Sequence, residues 1–373
     1  MIPILDTKRQ YKQIQDEVEK NVLDVLRSGS YILGKYNKEL EAKMQEFIGV
    51  KHCVTLNSGT DALHLALRAL DIGKGDEVIT VAFTFVATTE AIGIVGATPV
   101  FVDIDNDTFD IDPKLIEEKI TPKTKAIIPV HLYGQPCQMD VICDIAKRYN
   151  LYVIEDCAQA IGAKFKGQTV GSFGDIGCFS FYPTKNLGAM GDGGMISTNS
   201  EYLKNRVIAL RNHGGAVRYY HDEIGVNSRL DEIQAAILNV KFKYINEWNK
   251  KRRENAYRYN DLFAPYKDLV KTPIEGKDTE CIYHQYTIKI ENRDEVHKLL
   301  QENGIGAMLY YPVPLHFQKV HNYLGYKEGS LPVTEHNTKV VLSLPMFPEL
   351  TFDEQKQVVE TLIKCIQKTK ATV

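Results

Sequence analysis

Two residues of opposite charge raise the question of chemistry in this chain. Lys185 lies in the stretch CFSFYPTKNLGAMGDGG (178–194), between an apolar run and a cluster of glycines. Asp156 ends the apolar stretch LYVIED (151–156). A lysine in this context is either part of a surface loop after a buried strand or an amine that does covalent chemistry. An aspartate at a strand end is as often an N-cap or turn residue, so neither residue decides the function alone.

A third stretch has the composition of a phosphate site. SGTDA (58–62) follows an apolar run and opens a helical pattern, so backbone N–H groups with the Ser58 and Thr60 hydroxyls can bind an anion. Simple N-capping is the alternative. Ser180 would add a hydroxyl from a neighbouring strand. Phe85 offers either a flat face for a ligand ring or an ordinary core aromatic.

Together these parts match one ligand, pyridoxal 5′-phosphate (PLP). That cofactor needs a phosphate site, a stacking ring, a carboxylate near its ring nitrogen and a lysine for its aldehyde. An anionic Asp156 would keep the pyridine nitrogen protonated, because an opposite charge favours the charged form. Free lysine titrates near pH ~10.4, so Lys185 must be desolvated or covalently held to act at neutral pH.

Other motifs fail on their spacing. DIDNDTFDID (103–112) resembles a calcium loop, but Thr108 occupies the glycine position and Lys114 the closing glutamate position. GDGG (191–194) lacks the third glycine of a dinucleotide motif and precedes a strand. Lys185 is followed by asparagine instead of the Ser/Thr of a Walker motif. We therefore expect no metal site, and binding of nucleoside triphosphates or NAD is disfavoured.

The composition is that of an ordinary soluble globular protein. Of 373 residues, 44% are hydrophobic and 25% charged, and a formal net charge of −3 gives no broad attraction to nucleic acid or acidic membranes. The seven cysteines form no C-x-x-C pair, which indicates reduced thiols. No stretch approaches about 18 uninterrupted apolar residues. We expect a cytoplasmic protein with no nucleic-acid or membrane partner.

Residues so far apart in sequence can meet only if a sheet brings strand ends together. From about residue 50 to 200, short β-rich runs alternate with helical patterns, which favours an α/β fold with a mostly parallel sheet covered by helices. In open sheets of this kind, ligands bind at the carboxyl ends of the strands. Asp156 and Lys185 would then share one crevice.

The last third of the chain changes character. An apolar stripe over 230–244, at three- and four-residue steps, predicts one long helix. Thr351 followed by Glu354 forms a capping box ahead of another apolar stripe. We predict a large domain over residues 1–245, including the N-terminal segment, and a smaller C-terminal α+β domain over 246–373.

The order of these motifs resembles one protein family. SGTDA, TFVAT, EDCAQAIGA, FSFYPTKNLGAMGDGG, RNHG and NSRLDEIQAA follow one another as in the DegT/DnrJ family of nucleotide-sugar aminotransferases. The resemblance covers nearly the whole chain and implies a PLP enzyme of the aspartate-aminotransferase fold (fold type I). FSFYPTKNLG with GDGG is most similar to members that aminate C-3 of a nucleotide-linked 3-keto sugar. C-4 aminotransferases more often carry histidine where Tyr182 stands.

The resemblance implies a role for each residue around the cofactor ring. Lys185 would bind the aldehyde, and Asp156 would pair with the pyridine nitrogen. Gln159 would bind the ring hydroxyl, while Phe85 would stack on the ring.

The resemblance also implies that the phosphate is shared between two subunits. Gly59, Thr60 and Ser180 would hold the phosphate within one chain. Asn227 would reach the phosphate of the neighbouring subunit, which makes the active site a property of a homodimer. The helix from Arg229 would belong either to that interface or to the core.

Substrate contacts are implied for a group of aromatic and histidine side chains. LYYPVPLHFQ (309–318) resembles the segment that closes over the sugar, and residues 218–220 would come from the partner subunit. Ordinary packing of these side chains is the alternative. The candidates are Tyr182, Tyr310, Tyr311 and His316.

The implied reaction is a transamination in two halves. L-Glutamate would give its amino group to PLP, and the aminated cofactor would then aminate the sugar ketone, with Lys185 moving the proton each time. We favour a dTDP-linked 3-keto-6-deoxyhexose, the gluco epimer ahead of the galacto one, which gives a dTDP-3-amino-3,6-dideoxyhexose. Alternatives are a C-4 nucleotide-sugar aminotransferase, a PLP-dependent sugar dehydratase and a regulator that binds PLP or a nucleotide sugar without turnover. Dehydratases of the family carry histidine in place of Lys185.

Overall fold

A seven-stranded sheet forms the frame of the molecule. The computed structural model of the chain describes residues 1–217 and 219–371. Its strands lie close to the apolar runs of the sequence, and Glu77–Val81 coincides with the run EVITV. The strands in chain order are β1 (His52–Leu56), β2 (Glu77–Val81), β3 (Thr98–Val102), β4 (Thr124–Ile127), β5 (Tyr152–Asp156), β6 (Lys164–Phe165), β7 (Gln168–Thr169), β8 (Ile176–Ser180), β9 (Gly194–Thr198), β10 (Thr279–Glu280), β11 (Tyr286–Lys289) and β12 (Val341–Leu344).

The large sheet is mostly parallel. Its strand order is β1-β9-β8-β5-β4-β2-β3. The pairs β2–β3, β2–β4, β4–β5 and β5–β8 are parallel, and β9 runs antiparallel to both of its neighbours. The predicted α/β class with a mostly parallel sheet is therefore confirmed. β1, β2, β5 and β8 point the same way, so their carboxyl ends meet at one edge of the sheet.

Helices cover the sheet because their apolar residues repeat at helical spacing. In the helix after β1, Leu63, Ala66 and Leu67 belong to one buried cluster with residues of the sheet. None of the described helices is long and apolar enough to cross a membrane. The helices in chain order are α1 (Thr7–Ser28), α2 (Lys35–Ile48), α3 (Gly59–Ala69), α4 (Ala87–Ile94), α5 (Met139–Tyr149), α6 (Glu201–Arg211), α7 (Glu232–Phe242), α8 (Ile245–Phe263), α9 (Arg293–Glu302), α10 (Pro332–Val340) and α11 (Phe352–Ala371).

The apolar stripe over 230–244 coincides with α7, which is slightly shorter than the predicted helix and is separated from α8 at Lys243 and Tyr244. Tyr244, the N-cap of α8, has φ −105° and ψ −5°, and its hydroxyl donates to Glu17 of α1. The stripe itself faces inward, since Ile237 and Val240 pack in one buried cluster with residues of α1. It is therefore part of the core of this chain.

The last third of the chain forms a second core around the antiparallel pair β11–β12, with apolar residues of α8, α9 and α11. Ile2 belongs to the same cluster and pairs with Ile305. The capping box predicted for α11 is confirmed: the Glu354 N–H donates to Thr351 Oγ1 at 3.2 Å, and the Thr351 N–H donates to Glu354 Oε2 at 2.9 Å. The domain boundary between residues 245 and 246 stays a prediction.

Candidate active site

A cavity lies at the edge where the carboxyl ends of β1, β2, β5 and β8 meet. Its volume is about 480 Å³, within the range of small-molecule sites. Each of these strands ends at or just before a residue singled out in the sequence, so the cavity brings most of those residues together. The predicted residues that line it are Gly59, Thr60, Phe85, Asp156, Gln159, Ser180, Tyr182, Lys185, Tyr310 and Tyr311.

Lys185 lies on a tight turn directly after β8. Its backbone N–H donates to Tyr182 O at 2.8 Å. Gly188 keeps the turn compact, because a Cβ at that position would lie 2.5 Å from Pro183 O. Burial lowers the pKa of the Lys185 amine to about 8, although the negative charge of Asp156 opposes the shift. The amine is therefore partly neutral near physiological pH.

The side-chain amides of Asn186 and Asn249 hold this turn on the side away from the cavity. Asn186 Nδ2 donates to Asn249 Oδ1 at 2.8 Å and to Ile282 O at 3.3 Å. Asn186 Oδ1 is therefore the acceptor in its 3.0 Å contact with His284 Nδ1, so Nδ1 carries the hydrogen and Nε2 is an acceptor. Burial and nearby positive charges, Lys185 among them, hold the pKa of His284 well below its ordinary value. His284 lines the cavity as a neutral ring.

Asp156 is a buried carboxylate in a fixed orientation. The residue is 5% exposed. Its Oδ2 accepts a hydrogen bond from Thr88 Oγ1 at 2.8 Å, and its Oδ1 accepts one from the Ala158 N–H at 3.1 Å. Burial raises the pKa of Asp156, whereas these two hydrogen bonds and the charge of Lys185 lower it. The lone pairs that remain can accept a hydrogen bond from a ligand.

The N-terminus of α3 forms another wall of the cavity. Ser58 is the N-cap, since its Oγ accepts a hydrogen bond from the Asp61 N–H at 3.1 Å. The first amides of a helix have no partner within it, so those of Gly59 and Thr60 can bind an anion. A Cβ on Gly59 would lie 2.7 Å from Ser180 Cβ. Only glycine therefore lets α3 approach the end of β8 so closely.

Gln159 connects the sheet edge to the tyrosines of the C-terminal segment. The Tyr133 N–H donates to Gln159 Oε1 at 2.8 Å, which leaves Nε2 as the donor to the Tyr311 hydroxyl at 3.2 Å. The Tyr310 carbonyl accepts a hydrogen bond from the Tyr133 hydroxyl. Phe85 is 54% exposed, with its ring centroid 6.1 Å from that of Tyr311. The alternative of an ordinary core aromatic therefore does not hold for Phe85.

The structure does not bring His316 to the cavity. Its side chain has no exposed surface, and Nε2 lies 3.2 Å from Glu335 Oε1. The ring packs beside Phe101, Phe317 and Tyr326. The prediction that His316 contacts the substrate is therefore wrong. His316 is a core residue, because a fully enclosed ring has no face left for a sugar.

The residues assigned to the subunit interface lie on the surface. Asn227 is exposed and does not line the cavity, and its backbone pairs with Asn212. Tyr219 and Tyr220 are also exposed, whereas Arg218 lies outside the described residues. Their predicted roles across a subunit boundary stay predictions.

His131, Glu155 and Cys157 form a buried group whose ligand atoms lie close enough to hold a metal ion. The Cys137 N–H donates to His131 Nδ1 at 3.0 Å, so His131 Nε2 carries the hydrogen and donates to Glu155 Oε2 at 3.2 Å. Three backbone N–H groups also donate to Glu155, each at 2.8 Å. The imidazole and carboxylate are thus satisfied by protein hydrogen bonds, and the group is structural.

Comparison with known proteins identifies the family of this chain. The sequence profile of the DegT/DnrJ/EryC1/StrS aminotransferase family matches residues 12–363. The chain belongs to this family.

Relatives within the DegT/DnrJ/EryC1/StrS family differ in their named functions. The chain is 52% identical to the pleiotropic regulatory protein of Geobacillus stearothermophilus, with 97% of each chain covered. It is 48% identical to the UDP-N-acetyl-3-dehydro-α-D-glucosamine 3-aminotransferase of Acidithiobacillus ferrooxidans, again with 97% of each covered. It is 45% identical to the dTDP-3-amino-3,6-dideoxy-α-D-galactopyranose transaminase of Aneurinibacillus thermoaerophilus, with 97% of this chain and 99% of that one covered.

Solved structures of the family share the fold. DesV of S. venezuelae, in complex with a ketimine intermediate, matches with a TM-score of 0.95 at 40% identity over 98% of each chain. NtdA of Bacillus subtilis, with bound cofactor PMP, matches with a TM-score of 0.89 at 36% identity over 95% of this chain and 82% of that one. This chain is a PLP-dependent sugar aminotransferase of the DegT/DnrJ/EryC1/StrS family.

The cavity of this DegT-family aminotransferase fits PLP by its own geometry. Gly59 and Thr60 at the N-terminus of α3 line the cavity beside Ser180, and a Cβ on Gly59 would collide with the Ser180 side chain. Asp156 presents a buried carboxylate, and Lys185 presents an amine whose pKa burial lowers to about 8. The phosphate, the ring nitrogen and the aldehyde of PLP would thus each meet a chemically suitable group: the helix amides, the Asp156 carboxylate and the Lys185 amine.

Sequence reasoning missed part of the cavity lining. Thr88 lies in the first turn of α4, three residues after Phe85, and its closeness in sequence to that residue is a signal that could have placed it at the cavity. His284 had no such signal, because it lies about 100 residues from Lys185 in sequence and its ring is oriented by a long-range contact with Asn186. The missed residues that line the cavity include Thr84, Thr88, Asp192, His284 and Gln285.

Proposed function

We propose that this aminotransferase moves an amino group from L-glutamate to C-3 of a dTDP-linked 3-keto-6-deoxyhexose. The gluco epimer is preferred over the galacto one, and the product is a dTDP-3-amino-3,6-dideoxyhexose. The observation that carries the proposal is the shared cavity of Lys185 and Asp156, where burial lowers the pKa of the lysine to about 8. The C-3 assignment is supported by Tyr182, where C-4 enzymes of the family more often carry histidine.

Each residue of the ring site has one task in this proposal. PLP, when bound, supplies an aldehyde and an electron-withdrawing ring. Lys185 Nζ would hold the cofactor covalently and, once released, would move a proton between the substrate carbon and the cofactor. Asp156 would accept the ring N–H, and Gln159 Nε2 would donate to the ring hydroxyl. Phe85 would cover one face of the ring.

The remaining contacts divide between phosphate and sugar. The Gly59 and Thr60 amides with the Ser180 hydroxyl would hold the phosphate, at a helix N-terminus that favours negative charge. Among the candidates for the sugar, Tyr182 is 52% exposed at the opening of the cavity. Tyr310 and Tyr311 would complete this contact, Tyr311 through its ring while its hydroxyl stays bonded to Gln159 Nε2.

We infer that the working unit is a homodimer in the cytoplasm. Asn227 is exposed and lies outside the cavity of its own chain, as expected of a residue that serves the partner subunit. All seven cysteines are unpaired, six of them buried, which is consistent with a reducing compartment.

Two relatives favour other functions. The 48% identity to a UDP-N-acetyl-3-dehydro-α-D-glucosamine 3-aminotransferase supports a UDP-linked 2-acetamido sugar as the second candidate substrate. The 52% identity to a pleiotropic regulatory protein supports a regulator that binds without turnover. Against the regulator stands the partly neutral Lys185 amine, because binding alone would not need a proton-carrying group.

The reverse reaction tests all of these functions with stable substrates. The PLP-loaded protein is incubated with 2-oxoglutarate and one amino sugar at a time, and the glutamate formed is measured. The amino sugars are the two dTDP-3-amino-3,6-dideoxyhexose epimers, a UDP-linked 2-acetamido-3-amino sugar and a dTDP-linked 4-amino sugar, with Lys185→Ala as the blank. We expect the dTDP-linked gluco epimer to react fastest. Faster turnover of the UDP-linked sugar would favour the second candidate, turnover of the 4-amino sugar alone would overturn the C-3 assignment, and no glutamate at all would favour the regulator.

A further inference from the structure

Two threonine hydroxyls form a short relay that ends on Asp156. Thr84 Oγ1 and Thr88 Oγ1 lie 3.2 Å apart, and Thr88 Oγ1 lies 2.8 Å from Asp156 Oδ2. Thr84 comes from the loop after β2 and Thr88 from the first turns of α4. Both residues are buried, and both line the cavity.

The direction of the relay follows from the number of hydrogens. An ionised carboxylate only accepts hydrogen bonds, so Thr88 donates to Asp156. The single hydroxyl hydrogen of Thr88 is then used, and Thr84 must donate to Thr88. The Ala158 N–H, at 3.1 Å from Asp156 Oδ1, can only donate. The contacts from Thr88 and the Ala158 N–H lower the pKa of Asp156, because hydrogen bonds to charged acceptors are the stronger ones.

Burial acts in the opposite direction. With PLP bound, Asp156 and the ring nitrogen would share one proton in either of two states. In the charged pair the proton is on the nitrogen, and in the neutral pair it is on the carboxyl group. Removal from water favours the neutral pair. Donors to the carboxylate favour the charged pair, so a buried site needs such donors to keep the proton on the ring nitrogen.

We propose that Thr88, oriented by Thr84, is a positioning residue that keeps this proton on the pyridine nitrogen of PLP. The inference rests on the pairing of Asp156 with that nitrogen, as proposed above. The other titratable groups that act on Asp156 are Lys185 and His131. Lys185 is committed to the cofactor in the resting holoenzyme, and both ring nitrogens of His131 contact the Cys137 N–H and Glu155 instead of the Asp156 carboxylate. Thr88 is thus the side-chain donor left to favour the charged pair.

The test uses holoenzyme loaded with PLP that carries ¹⁵N in its ring. The ¹⁵N chemical shift separates a protonated from a neutral pyridine nitrogen, and a purely structural role of Thr88 would not move it. For the wild type we expect the protonated signal. For Thr88→Val, which keeps the shape and removes the hydroxyl, we expect a shift toward neutral pyridine. PLP affinity should fall about 10-fold, because the Asp156 carboxylate attracts a neutral pyridine less strongly than a pyridinium.

Matched variants separate this effect from a loss of packing. Thr88→Ser restores the hydroxyl and should restore the protonated signal. Thr84→Val should move the signal in the same direction as Thr88→Val, but less. Thr89→Val is the control, because Thr89 is the next residue of α4, is equally buried and bonds to Val86 and His321 instead of Asp156. Its ¹⁵N signal should match that of the wild type.

The threonine relay and the pairing of Asp156 with the ring nitrogen can be refuted separately. A protonated signal and unchanged affinity in Thr88→Val would overturn the relay while leaving the Asp156 pairing intact. A wild-type signal that also persists in Asp156→Asn would overturn the pairing itself, and with it the proposed arrangement of the ring site. A neutral signal already in the wild type would overturn the relay, because Thr88 would then have failed to hold the proton on the ring.

Discussion

The two sides of the cavity are built differently. The cofactor wall, which we define as Asp156, Gln159 and Lys185, consists of groups that other parts of the chain hold in place. Both Asp156 oxygens accept hydrogen bonds, and both ends of the Gln159 amide have partners. The cavity mouth, which we define as Tyr182, carries an aromatic side chain that is 52% exposed.

The difference separates chemistry from recognition. Groups fixed before the ligand arrives can stabilise charge without reorganising, which is the main source of electrostatic catalysis. Exposed rings gain contacts only when a ligand or a second subunit covers them, so they contribute binding energy. Changes in the cofactor wall should therefore affect the rate of the chemical step, and changes at the cavity mouth should affect mainly KM.

The largest effect is expected for the lysine of the cofactor wall. Lys185→Ala should lower turnover by about 10²–10⁴-fold or more, because it removes both the nucleophile and the proton carrier. Lys185→Arg is the matched control, since it keeps the positive charge but cannot supply a neutral amine at any ordinary pH. Turnover with glutamate and the keto sugar is the measurement, with thermal unfolding as the check on folding. A normal rate in either variant would contradict the role of Lys185 as nucleophile and proton carrier, and with it the assignment of the chemistry to the cofactor wall.

A smaller effect concerns the pH dependence of cofactor uptake. Burial lowers the pKa of Lys185 from 10.5 to about 8, and only the neutral amine attacks an aldehyde. The rate at which apoprotein takes up PLP should therefore rise with pH, about tenfold per unit below pH 8, and level off above that value. Rapid-mixing absorbance from pH 6.5 to 9.5 measures this rate.

Two controls complete the uptake experiment. Nα-acetyllysine, whose amine is in water, should show no plateau in the same range, and Lys185→Ala reports any non-covalent binding. A rate that keeps rising to pH 9.5 in the wild type would show that burial does not lower the pKa of Lys185.

The same two sides differ in how well the sequence predicts them. Asp156 and Lys185 follow strands whose apolar runs are evident, and the strand-end rule places them together without knowledge of side-chain packing. Gly59 and Thr60 follow from the pattern of a helix start. These predictions need only local patterns and the direction of strands, and the structure places all four residues at one cavity.

Other features depend on contacts that no local pattern encodes. His316 resembles a sugar contact in its segment, but Glu335 of α10 holds it in the core. The ring of His284 is oriented at the cavity by Asn186. In both cases a side chain from a distant element decides the outcome, and periodicity carries no information about such a partner.

The smallest effect compares one hydroxyl on each side of the cavity. The Tyr311 hydroxyl accepts a hydrogen bond from Gln159 at 3.2 Å, whereas Tyr182 is 52% exposed at the mouth. Tyr311→Phe leaves Gln159 Nε2 without that partner and should weaken PLP binding about twofold to tenfold, the usual net worth of one hydrogen bond. Tyr182→Phe should leave PLP affinity unchanged and raise KM for the keto sugar by a similar factor.

The two variants form a matched pair, because each removes one oxygen from one tyrosine. PLP affinity by absorbance titration and KM from initial rates are measured for both. The opposite pattern, in which Tyr182→Phe weakens PLP binding and Tyr311→Phe does not, would show that the mouth belongs to the cofactor site. Equal effects of both variants on PLP affinity and on KM would mean that cofactor and substrate binding are coupled across the cavity, since the effects of interacting residues cannot be assigned separately.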